Sequence, residues 1–425
     1  MVDDLRNKCW ECRGDSRPAN QFGGDDSSLQ VEVGQNVPAP RSWSKQALEE
    51  RQRWAFNRWP NAQAIEGGNA LDSPDSLRGN IESQIGWSVI PVGLVGPLRV
   101  KGTSINEDCY VPLATTEGAL VASFSRGAGA ITESGGALSL CVREGVQRAP
   151  SFRFRNAMES VAMMQLVNAG ADRWKAIVWQ QSKNAELVEI RVHLEGNLVT
   201  LVFDYTTGDA AGQNMVTFCT EAVVSEMLRS LEIKPCDWYI EGNLSGDKKA
   251  SSISLSGARG KKIVSEVELT AQALRKLSVT SGQMMRYWEI CVVNGVLSGS
   301  VGANGHYANG LAAFMLCTGQ DVACVAEAAI GCTRMEKRGE SLYVAVSLPN
   351  LIVGTVGGGT SLATAQACLS IVGCQGTGKA RRLAEIAGAL VLAGEISIAA
   401  AMCSKDFTRA HKILGRKKGK RPLSG

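Results

Sequence analysis

Midway along the chain, Val188, Ile190, Val192 and Leu194 alternate with Glu189, Arg191 and His193. That period of two belongs to a half-buried strand. Gly196-Asn197 supplies a turn and Val199, Leu201 and Phe203 resume the alternation, so the segment predicts a β-hairpin. From about Gln213 to Leu231 the period changes. Val216, Cys219, Val223, Met227 and Leu231 recur at helical spacing, which predicts a helix burying those five. Met158, Val161, Met164 and Leu166 suggest another helix before the hairpin. A helix–hairpin–helix order predicts a small α+β module, inserted in a larger domain.

Outside this module the texture differs. Trp43 to about Asn61 reads as a charged helix with Trp54 and Phe56 facing inward. The most apolar stretch, Leu383 to Cys403, is interrupted by Glu385 and Glu395 and is rich in Ala and Gly. It reads as a buried core helix, because a membrane span needs about 20 residues nearly free of charge. Residues 1–42 carry the Asp, Ser, Gly, Asn and Pro of a disordered tail. The basic run Lys412, Arg416, Lys417, Lys418, Lys420 and Arg421 predicts a solvated end.

Composition narrows the class. A chain of 425 residues exceeds one core, so two or three domains are expected. A net charge of +4 gives no reason to expect nucleic acid. Thirteen cysteines follow no framework, and no apolar leader opens the chain. Free buried thiols and a cytoplasmic location are expected, with no membrane segment. Cys9 and Cys12 form a CxxC with no second pair at zinc spacing, and no metal site is expected.

Several residues could carry chemistry. His306 and His411 lie in small-residue and basic surroundings, and an imidazole is a natural proton donor near neutral pH. Asp247-Lys248-Lys249 follows a flexible Gly242–Gly246 loop, which could bring a cation to a developing oxyanion; alone it would read as a solvated turn. Glu117, in Thr115-Thr116-Glu117-Gly118, sits in an apolar setting where burial would favour its acid form. Asp321 falls within the apolar run Leu311 to Ala329 and needs a partner, for which Lys248 or Glu117 would suit. Gly373 to Lys379 satisfies GxxxxGK, but Ala380 stands where magnesium would need Ser or Thr, so it is a decoy. Gly208–Gly212 and Gly357–Thr360 each open a helix after a strand and offer free N–H groups to a pyrophosphate or carboxamide.

Seven motifs in order turn these weak signals into a strong one. Glu82 to Gly86, Pro91 to Pro97, Val111 to Gly118, Gly208 to Met215, Asp247 to Lys249, Gly319 to Asp321 and Gly354 to Thr360 resemble the successive motifs of 3-hydroxy-3-methylglutaryl-CoA (HMG-CoA) reductases, closest to the eukaryotic-type catalytic domain. The resemblance spans about residues 45 to 415. It implies an α+β fold: a small helical N-terminal domain (43–85), a large substrate and CoA domain around a long central helix (86–148 and 250–415), an inserted ferredoxin-like NADP-binding domain (149–240), a catalytic loop (241–249) and a basic tail (416–425). It implies a dimer or tetramer with active sites shared between subunits, and reduction of HMG-CoA to mevalonate by two NADPH. Lys248 would stabilise the oxyanion, Asp321 tune it, Glu117 donate a proton to the aldehyde, and His411 protonate the departing CoA thiolate. Arg148, Glu241, Asp247, Lys249, His306, Asn309 and Arg126 match substrate-binding positions. Ser182, Lys183, Asp209, Gly212, Asn214, Met215, Gly357 and Gly358 match cofactor positions. Lys183 stands where the family reads the 2′-phosphate with Arg, and keeps the charge without the bidentate fork.

Four departures accompany the resemblance. Glu241 replaces a Ser that faces the acyl carboxylate, no cation stands near Ile290 where the family has Lys, and Gly129 and Ala410 replace an Arg and a Ser around CoA. Each change to the acyl pocket is worth about 2 kcal/mol or more if desolvated. Two alternatives follow: the same chemistry on another acyl-CoA, or a non-catalytic nucleotide-binding paralogue. Retention of Glu117, Lys248, Asp321 and His411 together argues against the latter.

Overall fold

The computed structural model describes residues 35–39, 42, 44–66, 77, 79–83, 85 and 87–404. Most of the expected N-terminal tail, the basic C-terminal run and His411 lie outside the described residues. Helix α1 (Lys45–Arg58) is capped by Ser44, whose Oγ accepts the Ala47 N–H at 3.2 Å. Its Trp54 and Phe56 pack, partly buried, on Ala62, Tyr110 and Ile371, inward as expected. Strands β1 (Val92–Lys101) and β2 (Asn106–Ala114) pair antiparallel, followed by α2 (Leu120–Glu133) and β3 (Ala137–Arg148).

The predicted helices and hairpin come next. They are β4 (Ser151–Arg153), α3 (Ala157–Ala169), α4 (Ala171–Gln181), β5 (Glu186–Glu195), β6 (Leu198–Thr206), α5 (Gln213–Ser230) and β7 (Asp237–Tyr239). All five α5 positions expected inward are buried, Leu231 at the cap included. The hairpin keeps its expected phase from Ile190 onward, with Ile190 and Val192 partly buried on the core and Val199, Leu201 and Phe203 fully buried. Ahead of that, a bulge between Leu187 and Glu189 shifts the register, so Leu187 is buried and Val188 exposed, and Leu194 beside the turn is exposed as well. One extra residue exchanges the faces of a strand, and alternation alone cannot show it.

The chain then runs through β8 (Gly260–Leu269), α6 (Ala271–Lys276), α7 (Ser281–Leu297), α8 (Tyr307–Cys317), α9 (Val325–Ala328), β9 (Cys332–Arg338), β10 (Ser341–Leu351), α10 (Ala363–Ile371) and α11 (Ala380–Cys403). The strands join in one sheet, ordered β7-β4-β6-β3-β8-β10-β9, with β5 on β6 and β1 and β2 beyond β3. Two apolar cores lie against it, one around α11 and one holding α3, α4 and α5. Strand β3 serves both: Leu138 to Gly145 pair with β8, and Val146 to Arg148 pair with β6.

α11 is the centre of the larger core. It is the described helix long and apolar enough to cross a membrane, yet 83% of its most apolar window is buried in the protein. A Cβ on Gly127 of α2 would fall 1.8 Å from the Ala393 carbonyl oxygen of α11, so only glycine permits this approach.

Candidate active site

The loop after β7 carries the residues at the centre of the site. Lys248 adopts φ +55°, a left-handed conformation that a non-glycine residue holds only when its surroundings fix it. Two contacts do so. Its N–H donates to Glu327 Oε1 at 3.2 Å, and its Nζ lies 2.7 Å from Asp321 Oδ2. Asp321 is itself held by the turn before α9, where its Oδ1 accepts the Ala323 N–H at 3.1 Å, and Gln213 Nε2 reaches its Oδ2 at 3.4 Å. The hydrogen bond that Lys248 donates to Asp321 raises its pKa above the ordinary lysine value. Its positive charge is therefore present through neutral pH and is lost only as pH rises through that raised value.

Behind this pair lies a network the sequence reading missed. Arg259 is 1% exposed and forms ion pairs with Asp247 and Glu327, the latter at 3.6 Å. Burial pushes the Glu327 carboxyl above its usual range, although Arg259 partly offsets this. Burial also pushes Asp247 up, but Arg259 and Arg148 outweigh it and hold its pKa below the usual value. Only Glu327's place in an apolar run, like that of Asp321, hinted at this arrangement.

The proton-donor side is more open than expected. Glu117 is exposed, not buried, because it lies in the irregular segment that leads into α2. Its Oε2 accepts a hydrogen bond from Asn309 Nδ2 at 3.0 Å. The Lys248 and Asp321 side chains are likewise 40% and 38% exposed, so this chain by itself does not make a dry cleft. Of the two partners considered for Asp321, the structure selects Lys248; no described contact joins Glu117 to either.

Acyl-pocket candidates are already engaged. Arg148 Nη1 lies 3.0 Å from Asp247 and 3.3 Å from Glu241, and its Nη2 donates to the Gln213 carbonyl at 3.1 Å. Glu241 also accepts the Ala149 and Asn243 N–H groups, at 3.2 and 2.7 Å, and the Ser245 hydroxyl at 3.1 Å. Lys249 is exposed and donates to the Asp247 carbonyl at 3.0 Å. Arg126 binds Ser397 of α11 through Nε and Nη2. Ile290 is 61% exposed on α7.

The two glycine loops lie side by side, Ala210 bridging to Val356. Gly212 is left-handed (φ +80°) at the start of α5, and a Cβ there would meet Thr207 at 2.5 Å. Asn214 is exposed and Met215 packs partly buried on the smaller core. Gly357 and Gly358 have positive φ and open space beside them, and a short 3₁₀ turn that begins at Gly358 precedes α10. Asp209, however, accepts the Gly378 and Ala380 N–H groups at 2.6 and 3.0 Å. It thereby caps the first turn of α11 through the loop set aside as a decoy. Burial pushes its pKa up, but these N–H donors hold it below the usual value.

A separate cavity of about 370 Å³ is lined by Lys175, Trp179, Lys183, Asn184, Glu186 and Thr206, among others. Lys183 Nζ lies 4.2 Å from the Trp179 ring centroid. Ser182 caps α4, and its Oγ accepts the Asn184 N–H at 3.2 Å. No group of three His, Cys, Asp or Glu residues suited to a metal occurs among the described residues.

A family model described as hydroxymethylglutaryl-coenzyme A reductase matches residues 47–416. The 3-hydroxy-3-methylglutaryl-coenzyme A reductase of Methanocaldococcus jannaschii is 37% identical over 353 residues, spanning 82% of this chain and 87% of that protein. The Methanothermobacter thermautotrophicus protein of the same name is 38% identical over 350 residues, covering 82% and 88%. Dictyostelium discoideum reductase 1 is 36% identical over 351 residues, covering 79% of this chain and 62% of that protein. Among solved structures, the NADPH-bound class II reductase of Streptococcus pneumoniae superposes with a TM-score of 0.68 at 17% identity, covering 84% of this chain and 97% of that one.

Proposed function

The chain belongs to the hydroxymethylglutaryl-coenzyme A reductase family, and on that premise we propose that it reduces HMG-CoA to mevalonate and CoA with two NADPH. The contact that carries the proposal is Lys248 Nζ to Asp321 Oδ2 at 2.7 Å. An ammonium held beside a carboxylate stays charged and fixed in direction, as stabilisation of a developing oxyanion requires. Glu117, oriented by Asn309, donates a proton to the aldehyde oxygen. His411, outside the described residues, protonates the departing thiolate. NADPH oxidation followed with HMG-CoA tests the reading; no turnover with any thioester would favour the non-catalytic paralogue.

The residues present fit the cofactor. NADPH supplies hydride; the Gly357–Gly358 backbone runs beside open space, and Lys183 offers a cation to the 2′-phosphate at a cavity wall. Lys183→Glu is expected to weaken NADPH binding by roughly tenfold or more while leaving NADH binding unchanged, measured by fluorescence titration. Equal losses for both nucleotides would remove the 2′-phosphate assignment. The separate core of α3, α4 and α5 with its sheet supports reading that module as the ferredoxin-like NADP-binding domain. The exposed Lys248–Asp321 pair and the apolar face of α7, with Ile290, Val293, Val296 and Leu297 exposed, support self-association as a dimer or tetramer. The ordered motifs support the eukaryotic-type assignment. The eleven described cysteines, all free thiols, support a cytoplasmic setting.

One observation favours a second reading, the same chemistry on an acyl-CoA without a distal carboxylate. Arg148 already faces two carboxylates, Glu241 and Asp247, so little positive charge remains for a third. Glu241→Ser is expected to tighten HMG-CoA binding by roughly tenfold. Tightening on that change, with turnover of a neutral acyl-CoA by the wild type, would favour the second reading, whereas unchanged HMG-CoA affinity would remove the observation behind it.

A further inference from the structure

Glu395 lies on α11, 3% exposed, and the chemistry above makes no use of it. Its Oε2 accepts the Gly305 N–H at 2.8 Å and the Thr333 hydroxyl at 2.6 Å. Its Oε1 accepts the His306 N–H at 2.8 Å and faces His306 Nδ1 at 3.2 Å. Burial pushes this carboxyl's pKa up, but His306, Thr333 and the Gly305 N–H hold it below the usual value, so it is an ionised acceptor. A carboxylate can only accept, so Nδ1 must carry the proton, which leaves Nε2 as the ring's outward atom.

The ring has little freedom. It stacks on Phe124 with centroids 5.4 Å apart, and a Cβ on Gly394 would lie 3.1 Å from its Cε1. Nε2 bonds to no described residue, and the side chain keeps 14% exposure. The same carboxylate fixes the two residues that lead into α8. Asn309, which holds Glu117, is three residues further on, and its N–H bonds to the His306 carbonyl at 3.1 Å.

We propose that Glu395 is a positioning residue of the reductase: its buried carboxylate fixes His306 with Nδ1 protonated and Nε2 presented to the bound acyl thioester, and through the first turn of α8 it sets Asn309 and Glu117. The proposal rests on the reductase reading, but half of its test does not. Glu395→Gln keeps the volume and replaces one acceptor oxygen by an NH₂ that faces donors. It should lower kcat about 10–100-fold with the NADPH Kd unchanged. Combined with His306→Gln, the loss should be much smaller than the product of the two single losses. A purely structural role would multiply them.

The second measurement is independent of activity. The chain has three histidines, so ¹⁵N-histidine spectra of the full protein show three rings, and His306→Gln assigns one of them. Wild type should show His306 Nδ1 protonated, and Glu395→Gln should release that preference. An unprotonated Nδ1 in wild type, or multiplicative kinetic losses, overturns the proposal. A protonated Nδ1 in a protein that reduces no thioester would uphold the dyad and sink the reductase reading instead.

Discussion

Replacing Lys248 by alanine is expected to lower kcat for thioester reduction by about 10²–10³-fold, with KM changing far less. The ground-state carbonyl is neutral, whereas hydride addition places a full negative charge on its oxygen. The ammonium therefore acts mainly as the reaction proceeds. Alanine is a fair test because the left-handed backbone at φ +55° meets the same Cβ in either residue, so conformational strain cancels. Asp321 keeps the Ala323 N–H and Gln213 as partners, so the turn that carries it should persist. Single-turnover NADPH oxidation reads the effect. A wild-type rate would mean that the oxyanion forms elsewhere.

The largest stability effect is expected at Arg259. Replacement by methionine leaves Glu327, 1% exposed, without its counter-charge and should cost about 3–5 kcal/mol. Asp247 retains Arg148, so the loss falls mainly on Glu327. The pH dependence follows from the raised Glu327 pKa. The folded state binds that proton more tightly than the unfolded chain, so this group favours folding at acid pH and loses the contribution as pH rises through its folded value. Without Arg259 the decline should steepen. Melting temperatures at pH 5 and pH 8 should thus differ more for the variant than for wild type. Arg259→Met with Glu327→Leu should recover most of the stability but not the rate, because the Lys248 N–H loses its acceptor. Recovery of both would show that Glu327 does not hold the catalytic loop.

What the sequence revealed and what it hid divide along physical lines. Helix α5 and α11 were legible because burial on one face, or all round, imposes a period or a run that needs no knowledge of neighbours. The Lys248–Asp321 contact was legible because a lone acid in an apolar run must find a cation. The exposure of Val188 was not, since the bulge there is set by the pairing of β5 with β6. Nor was the exposure of Glu117, because apolar neighbours in sequence do not bury a residue in an irregular segment. Nothing in the segment from Gly257 to Lys262 marked Arg259, although it is the deepest cation in the site. The capping contacts of Asp209 were hidden because its motif is local, whereas the amides it caps lie some 170 residues away. Glu385 and Glu395 were noticed only as interruptions of an apolar helix. Both turn out to gather backbone N–H groups from distant loops.

The continuity of β3 restricts how the cleft can open. Hydrogen bonds to β8 and to β6 follow one another along the same strand without a flexible joint between Gly145 and Val146. A rigid-body swing of the module holding α3, α4 and α5 about that point would shear the ladder. Movement that admits or releases ligands must therefore take the form of twist distributed along the sheet, or of displacement in the loop from Gly242 to Ala250, where only a few side chains have to let go.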